Sequence, residues 1–89
     1  MILMDRVNLL APGWSHVVSS THDIAELERF RIEVGAPPAA LQLSNPRWPH
    51  LDLKLEPRDS ALARADVTIF ETTRDLVRHM RHLPAQETP

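Results

Sequence analysis

Apolar residues along this chain follow two periods, and the switches between them predict the order of its elements. Met1-Ile2-Leu3-Met4 is a continuous apolar run that stops at Asp5. It reads as a short buried strand with Asp5 at its C-terminal end, followed by a loop from Arg6 to Gly13 that turns at Pro12-Gly13. Trp14 to Ser19 resumes as an extended segment containing His16, Val17 and Val18. Behind it Ile24, Leu27, Phe30 and Val34 recur at helical spacing, and Asp23 and Glu26 have the separation of a capping box, so a helix is predicted from Asp23 to Val34. Gly35 suits the left-handed residue that closes such a helix, and Pro37-Pro38 prevents its continuation.

Four prolines between Ala36 and Pro49 predict an irregular connection with one helical turn near Pro38 to Leu41, and with Trp48 covering an edge of the core. His50 to Leu55 then alternates. Leu51, Leu53 and Leu55 fall on one face and His50, Asp52 and Lys54 on the other, as in a half-buried strand. Pro57 fits the first turn of a helix with a small apolar face of Ala61, Leu62 and Ala65. Val67 to Phe70 is rich in β-formers, and Thr72 or Thr73 can cap a last helix whose stripe is Leu76, Val77, Met80 and Leu83. Pro84 ends that helix and residues 85–89 form a loose tail. This order predicts an α/β fold: one small domain over residues 1–84, with a partly parallel sheet packed by about three helices.

Composition narrows the class. The chain has no cysteine, so disulfides, a thiolate nucleophile and cysteine-ligated metal are excluded. A net charge of -2 argues against general nucleic-acid binding, which needs many neutralised phosphates, and leaves only a local basic patch. The opening apolar run is too short for a signal peptide or a membrane span, so the expectation is a soluble, cytoplasmic chain without membrane association. Isolated Gly13 and Gly35 exclude a glycine-rich phosphate loop and a nucleophile elbow.

The candidate chemistry centres on Asp5, His16, His50, Asp52 and Arg58 as a ligand-binding set. His50 and Asp52 share one face of a strand, and imidazole with carboxylate suits a divalent metal ion, for which His16, His50 and Asp52 are the expected ligands. Arg58 supplies a guanidinium able to grip two phosphate oxygens, and Trp14 or Trp48 a stacking face. The expected ligand is therefore a nucleotide or other phosphorylated compound, bound with metal assistance; whether a reaction follows stays open. The alternative is a small protein-interaction module without catalysis. It would dock a protein partner through Arg74, Arg78 and Arg81 on the last helix, while Glu26, Glu28 and Glu33 concentrate the opposite charge on the first.

Asp5, Trp14-Ser15-His16, Glu26-Leu27 with Phe30, Gly35, Gln42, His50-x-Asp52-Leu53, Arg58 and Ala61 stand in an order that resembles a family of small bacterial and phage α/β proteins, the domain of unknown function 4031 family. The ordered set spans nearly the whole chain. Leu51 stands where the family carries Tyr, Glu28 where it carries a helix His, and Arg6 where it carries a second acidic residue. The resemblance implies a small α/β fold and a shared polar site, and it implies no particular activity.

Overall fold

The computed structural model describes residues 1–82. In chain order it holds β1 (Ile2–Val7), β2 (Trp14–Ser19), α1 (Ile24–Val34), a short 3-10 turn at Pro38–Ala40, β3 (Leu41–Gln42), β4 (His50–Lys54), α2 (Leu55–Leu62), β5 (Val67–Thr72) and α3 (Thr73–Arg81). The five strands make one sheet in the order β3-β4-β2-β1-β5. β1 and β5 run parallel, and the other neighbours are antiparallel. The predicted mixed α/β sheet with three helices is therefore what forms. Leu83, the predicted helix stop at Pro84 and the tail at 85–89 lie outside the described residues. No helix among the described residues is long and apolar enough to cross a membrane.

The two faces of the sheet carry different loads. One buries Ile2, Met4, Val17, Leu51 and Leu53 against Leu27, Phe30 and Val34 of α1 and Ala61 of α2. The other buries Leu3 and Val18 under Leu76 and Met80 of α3, with Trp48 and Phe70 packed at the side. Two helices thus cover the first face and one covers the second. Because α3 packs against β1 and β5, the β2 and β4 part of the second face keeps only a partial cover. Side chains alternate across a strand, so this part is where His16, His50 and Asp52 must project.

Local chemistry sets the ends of the helices. Asp23 caps α1 by accepting the Glu26 N–H, as its spacing predicts. The reciprocal half of a capping box is absent. Instead the Asp23 N–H donates to Ser19 Oγ, whose hydroxyl donates to Glu26 at 2.6 Å. Gly35 closes the helix at φ 79°, a conformation that only glycine adopts without strain. Thr72 accepts the Asp75 N–H and caps α3.

Five local expectations are corrected. β1 does not stop at Asp5 but continues to Val7, paired with β5 through Asp5–Phe70 and Val7–Thr72. A two-residue strand, β3, lies in the connection read as irregular. Ile24, placed in the buried stripe of α1, is 46% exposed because it occupies the first turn, beyond the edge of the sheet contact. Leu55, placed on the buried face of β4, is 73% exposed: its φ of 54° breaks the strand there and turns its side chain outward as α2 begins. Ala65 follows α2 and is likewise exposed, which leaves Ala61 as the buried residue of that helix.

Candidate functional site

Asp5 is a carboxylate in the middle of a buried strand, fully shielded from solvent, and three donors make that tolerable. The β1–β2 ladder runs from Ile2–Ser19 to Met4–Val17. At the next step the Asp5 side chain takes the place of a backbone acceptor, and its Oδ1 receives the His16 N–H at 2.7 Å. Its Oδ2 receives His16 Nδ1–H at 2.8 Å and the hydroxyl of Thr73 at the start of α3. Burial alone would push the Asp5 carboxyl up, but these hydrogen bonds together hold it below the usual carboxylate range. The same contact with Asp5 raises the His16 imidazole against the opposing effect of its burial, with the charges of Asp5 and Asp52 adding to the rise.

His16 pairs in register with Asp52, so both project from the α3 face, and His50 lies two residues before Asp52 on that same face. The imidazoles of His16 and His50 stand with ring centroids 5.6 Å apart. Each ring has its Nδ1 engaged: His16 to Asp5, and His50 to the Trp48 carbonyl at 2.8 Å. A carbonyl and an ionised carboxylate only accept, so both Nδ1 atoms carry hydrogen, and each ring in its neutral form presents a lone pair at Nε2. His50 Nε2 lies 3.3 Å from Asp52 Oδ1. His16, His50 and Asp52 each offer a ligand atom, and these atoms fall within 4.8 Å of one another. All three are half-buried, with 30%, 25% and 33% of their side chains exposed, so the cluster is open on one side.

Two atoms bound to one ion at about 2.1 Å lie roughly 3.0–3.4 Å apart in octahedral or tetrahedral geometry. The His50–Asp52 pair already has that separation. The remaining gaps among the three atoms are no wider than 4.8 Å. Beside the cluster, Val18, Trp48, Leu76 and Val77 line a largely apolar groove of about 170 Å³ that begins at the two histidines.

The structure thus brings together four of the five expected ligand-binding residues, with Asp5 behind His16 and His16, His50 and Asp52 in front. Arg58 is not with them. It lies on α2, which packs against the leucine face of β4, and it donates to Ser15 Oγ at 2.8 Å and to the Arg6 carbonyl at 2.6 Å. Ser15 precedes His16 on β2 and points through the opposite face. Arg58 is therefore removed from the candidate site, and its guanidinium holds the β1–β2 loop. Trp14 carries Lys54 over its ring at 4.8 Å, while Trp48 faces the groove. Thr73 was readable only as a helix cap, and nothing in the sequence marks it as the second anchor of Asp5. Arg74, Arg78 and Arg81 are exposed on α3 as expected, and His79 of the same helix lies against Phe70, with ring centroids 4.9 Å apart. The acidic residues of α1 are engaged: Glu26 with Ser19, Glu28 with Arg31, and Glu33 with Arg64 at 2.6 Å.

No family model, curated protein or solved structure matches this chain.

The Asp5–His16 pair gives a signed pH dependence. A carboxyl held down contributes stability above its ordinary value of 3.8 and loses it as pH falls through the folded value. An imidazole held up contributes fully below its ordinary value of 6.5 and loses that contribution as pH rises through the folded value. The metal-free protein is expected to be most stable between these limits. Its melting temperature should fall on the acid side below 3.8 and on the alkaline side above 6.5. Thermal melts across this range check the sign, and His16→Gln should remove the alkaline fall. A wild-type melting temperature that climbs steadily through neutral pH would contradict it.

Proposed function

We propose that this chain binds a phosphorylated ligand of the nucleotide class through a divalent transition-metal ion held by His16, His50 and Asp52. The observation that carries the reading is the meeting of His50 Nε2 and Asp52 Oδ1 at 3.3 Å, with His50 Nδ1 already committed to the Trp48 carbonyl. With His50 in its neutral form two acceptors face each other there, and a cation between them, shared with His16 Nε2, satisfies all three at once. Two imidazoles and one carboxylate suit zinc, manganese and their neighbours, and a set of three protein ligands leaves coordination positions for ligand oxygens.

Each residue then has a distinct task. Asp5 and Thr73 hold the His16 ring with Nε2 outward, the arrangement by which a carboxylate behind a ligating histidine fixes its tautomer and raises its basicity. The Trp48 carbonyl does the same for His50. When bound, the metal supplies Lewis-acid binding of phosphate oxygens, the task first expected of Arg58. The groove beside the histidines, with Trp48 on its wall, takes the flat apolar part of the ligand.

Melting the chelator-treated protein with added Zn²⁺, Mn²⁺ and Co²⁺ tests this. Binding to the folded state at about one hundred times Kd adds about 2.7 kcal/mol. For a domain of this size that is a rise of roughly 10–20 °C for at least one ion. Inorganic phosphate or a nucleotide should add a further rise only with the metal present. A melting temperature that none of the three ions moves would sink the reading.

A further inference from the structure

The last helix extends the candidate site in one direction. At 100° per residue, Leu76 and Met80 point at the sheet, Val77 sits on the flank toward the groove, and Arg74 and Arg81 follow within one turn of Val77 on that flank, with Arg78 beyond them. Val77 lines the groove beside the histidines, and it also lines a broad hollow of about 500 Å³ bordered by Arg74, Arg78, Arg81 and His82. Metal cluster, apolar groove and arginine ridge are therefore one continuous surface with Val77 at the join.

The three arginines of the ridge, like Arg29 and Arg47, differ from the arginines that hold the fold together. Arg6 pairs with Glu71, Arg31 with Glu28 and Arg64 with Glu33 and Asp66, while Arg58 bonds Ser15. Among the described residues, Arg74, Arg78 and Arg81 make no ion pair, although a helix of this composition carries Asp75 within reach in sequence. A basic last turn complements the helix dipole at Arg78 and Arg81, but Arg74 lies in the first turn, where a positive charge opposes the dipole. Three guanidiniums without an ion pair among the described residues, along about 10 Å of helix axis, form an extended positive edge. One phosphate group does not need so long an edge, whereas a chain of linked phosphates does.

We infer that the ligand is a single-stranded oligonucleotide. One phosphate would lie at His16, His50 and Asp52, one base against Trp48 in the groove, and the following phosphates along Arg74, Arg78 and Arg81. This deepens the metal-and-phosphate reading above and rests on it. Base stacking on an aromatic wall beside a positive track is the general way in which strands are bound without base-specific contacts. The net charge of -2 is compatible with it, because the positive charge is concentrated on one face while the acids of α1 are internally paired.

Fluorescence anisotropy of a labelled twelve-nucleotide oligo(dT), with the metal identified by the melts present, tests the inference against the charge-reversed variant Arg74→Glu/Arg78→Glu/Arg81→Glu. Neutralising three phosphates of a single strand predicts a slope of about -2 in log affinity against log salt. The variant should bind at least roughly tenfold more weakly with a slope near zero, since each lost phosphate contact removes about 0.7 from it. Calorimetry of that same metal with the variant, without oligonucleotide, should match wild type, because none of the three arginines is a proposed ligand. Wild-type oligonucleotide binding that survives charge reversal, or none at all while metal still binds, overturns the inference and leaves the metal reading standing. Displacement of the strand by polyglutamate of equal charge overturns it in favour of an acidic protein partner. Failure of wild type to bind any of the three metals removes both together.

Discussion

Asp5→Ala is expected to lower the stability of the domain by about 3–5 kcal/mol, the cost of removing one partner from a buried, hydrogen-bonded charge cluster. The substitution strands the His16 N–H and the His16 Nδ1–H, and it leaves the Thr73 hydroxyl without its acceptor, in a region that has no exposure at Asp5. In a domain of this length the loss corresponds to a fall of roughly 15–30 °C in melting temperature. Thr73→Val removes one donor and leaves the carboxylate two others, so about 1 kcal/mol is expected there. Asp5→Asn keeps the volume but brings an NH₂ group among donors, and it should fall between the two. Thermal or urea unfolding of the three variants checks the ranking. An Asp5→Ala protein within about 1 kcal/mol of wild type would mean that the carboxylate is not the anchor joining β1, β2 and α3.

The second large effect is expected at His50. His50→Ala removes a nitrogen that the proposed site would place on the metal, so zinc affinity should fall by more than the roughly 10–100-fold that loss of an outer partner produces. Asp52→Asn should act similarly, because an amide is a far weaker ligand than a carboxylate. Thr73→Val, acting only through Asp5 and His16, belongs within the outer range. His22, which meets the edge of Trp48 with ring centroids 5.9 Å apart but is not among the three ligand residues, provides the control, and His22→Ala should leave zinc affinity unchanged. Since His50 and Asp52 are partly exposed, neither substitution should prevent folding, and calorimetry on the folded variants separates affinity from stability. Equal losses in all four variants, or none in His50→Ala, would contradict the assignment.

How legible this arrangement is in the sequence differs from residue to residue. The alternation of His50, Leu51, Asp52 and Leu53 fixes the polar face of β4, and the structure keeps it. His16 joins that face only through the pairing of His16 with Asp52, a register that no local pattern specifies and that a slip of one residue would invert. Asp5 reads as a strand end because a carboxylate in an apolar run is ordinarily a boundary. What lets it sit inside β1 is three donors, supplied by two residues 11 and 68 positions away. Arg58 is close to Asp52 along the chain yet lies across the sheet, since α2 turns onto the leucine face immediately after the positive φ at Leu55. β3 escapes detection because two residues carry no period. The stripe of α3 is read correctly at Leu76 and Met80, while the consequence of one helix covering only part of a face becomes visible only once strand order is known.

In the proposed site His16 and His50 turn their Nε2 atoms, not Nδ1, toward one metal ion shared with Asp52. Long-range ¹H–¹⁵N NMR of the imidazole rings during a Zn²⁺ titration reads this directly. Metal-free protein at a pH where both rings are neutral should show the Nδ1–H form for His16 and His50. One equivalent of Zn²⁺ should shift both Nε2 resonances to the metal-bound position while both Nδ1 atoms keep their protons and His22 stays unchanged. Rings that do not respond, or that bind through Nδ1 with loss of the Asp5 and Trp48 hydrogen bonds, would contradict the account.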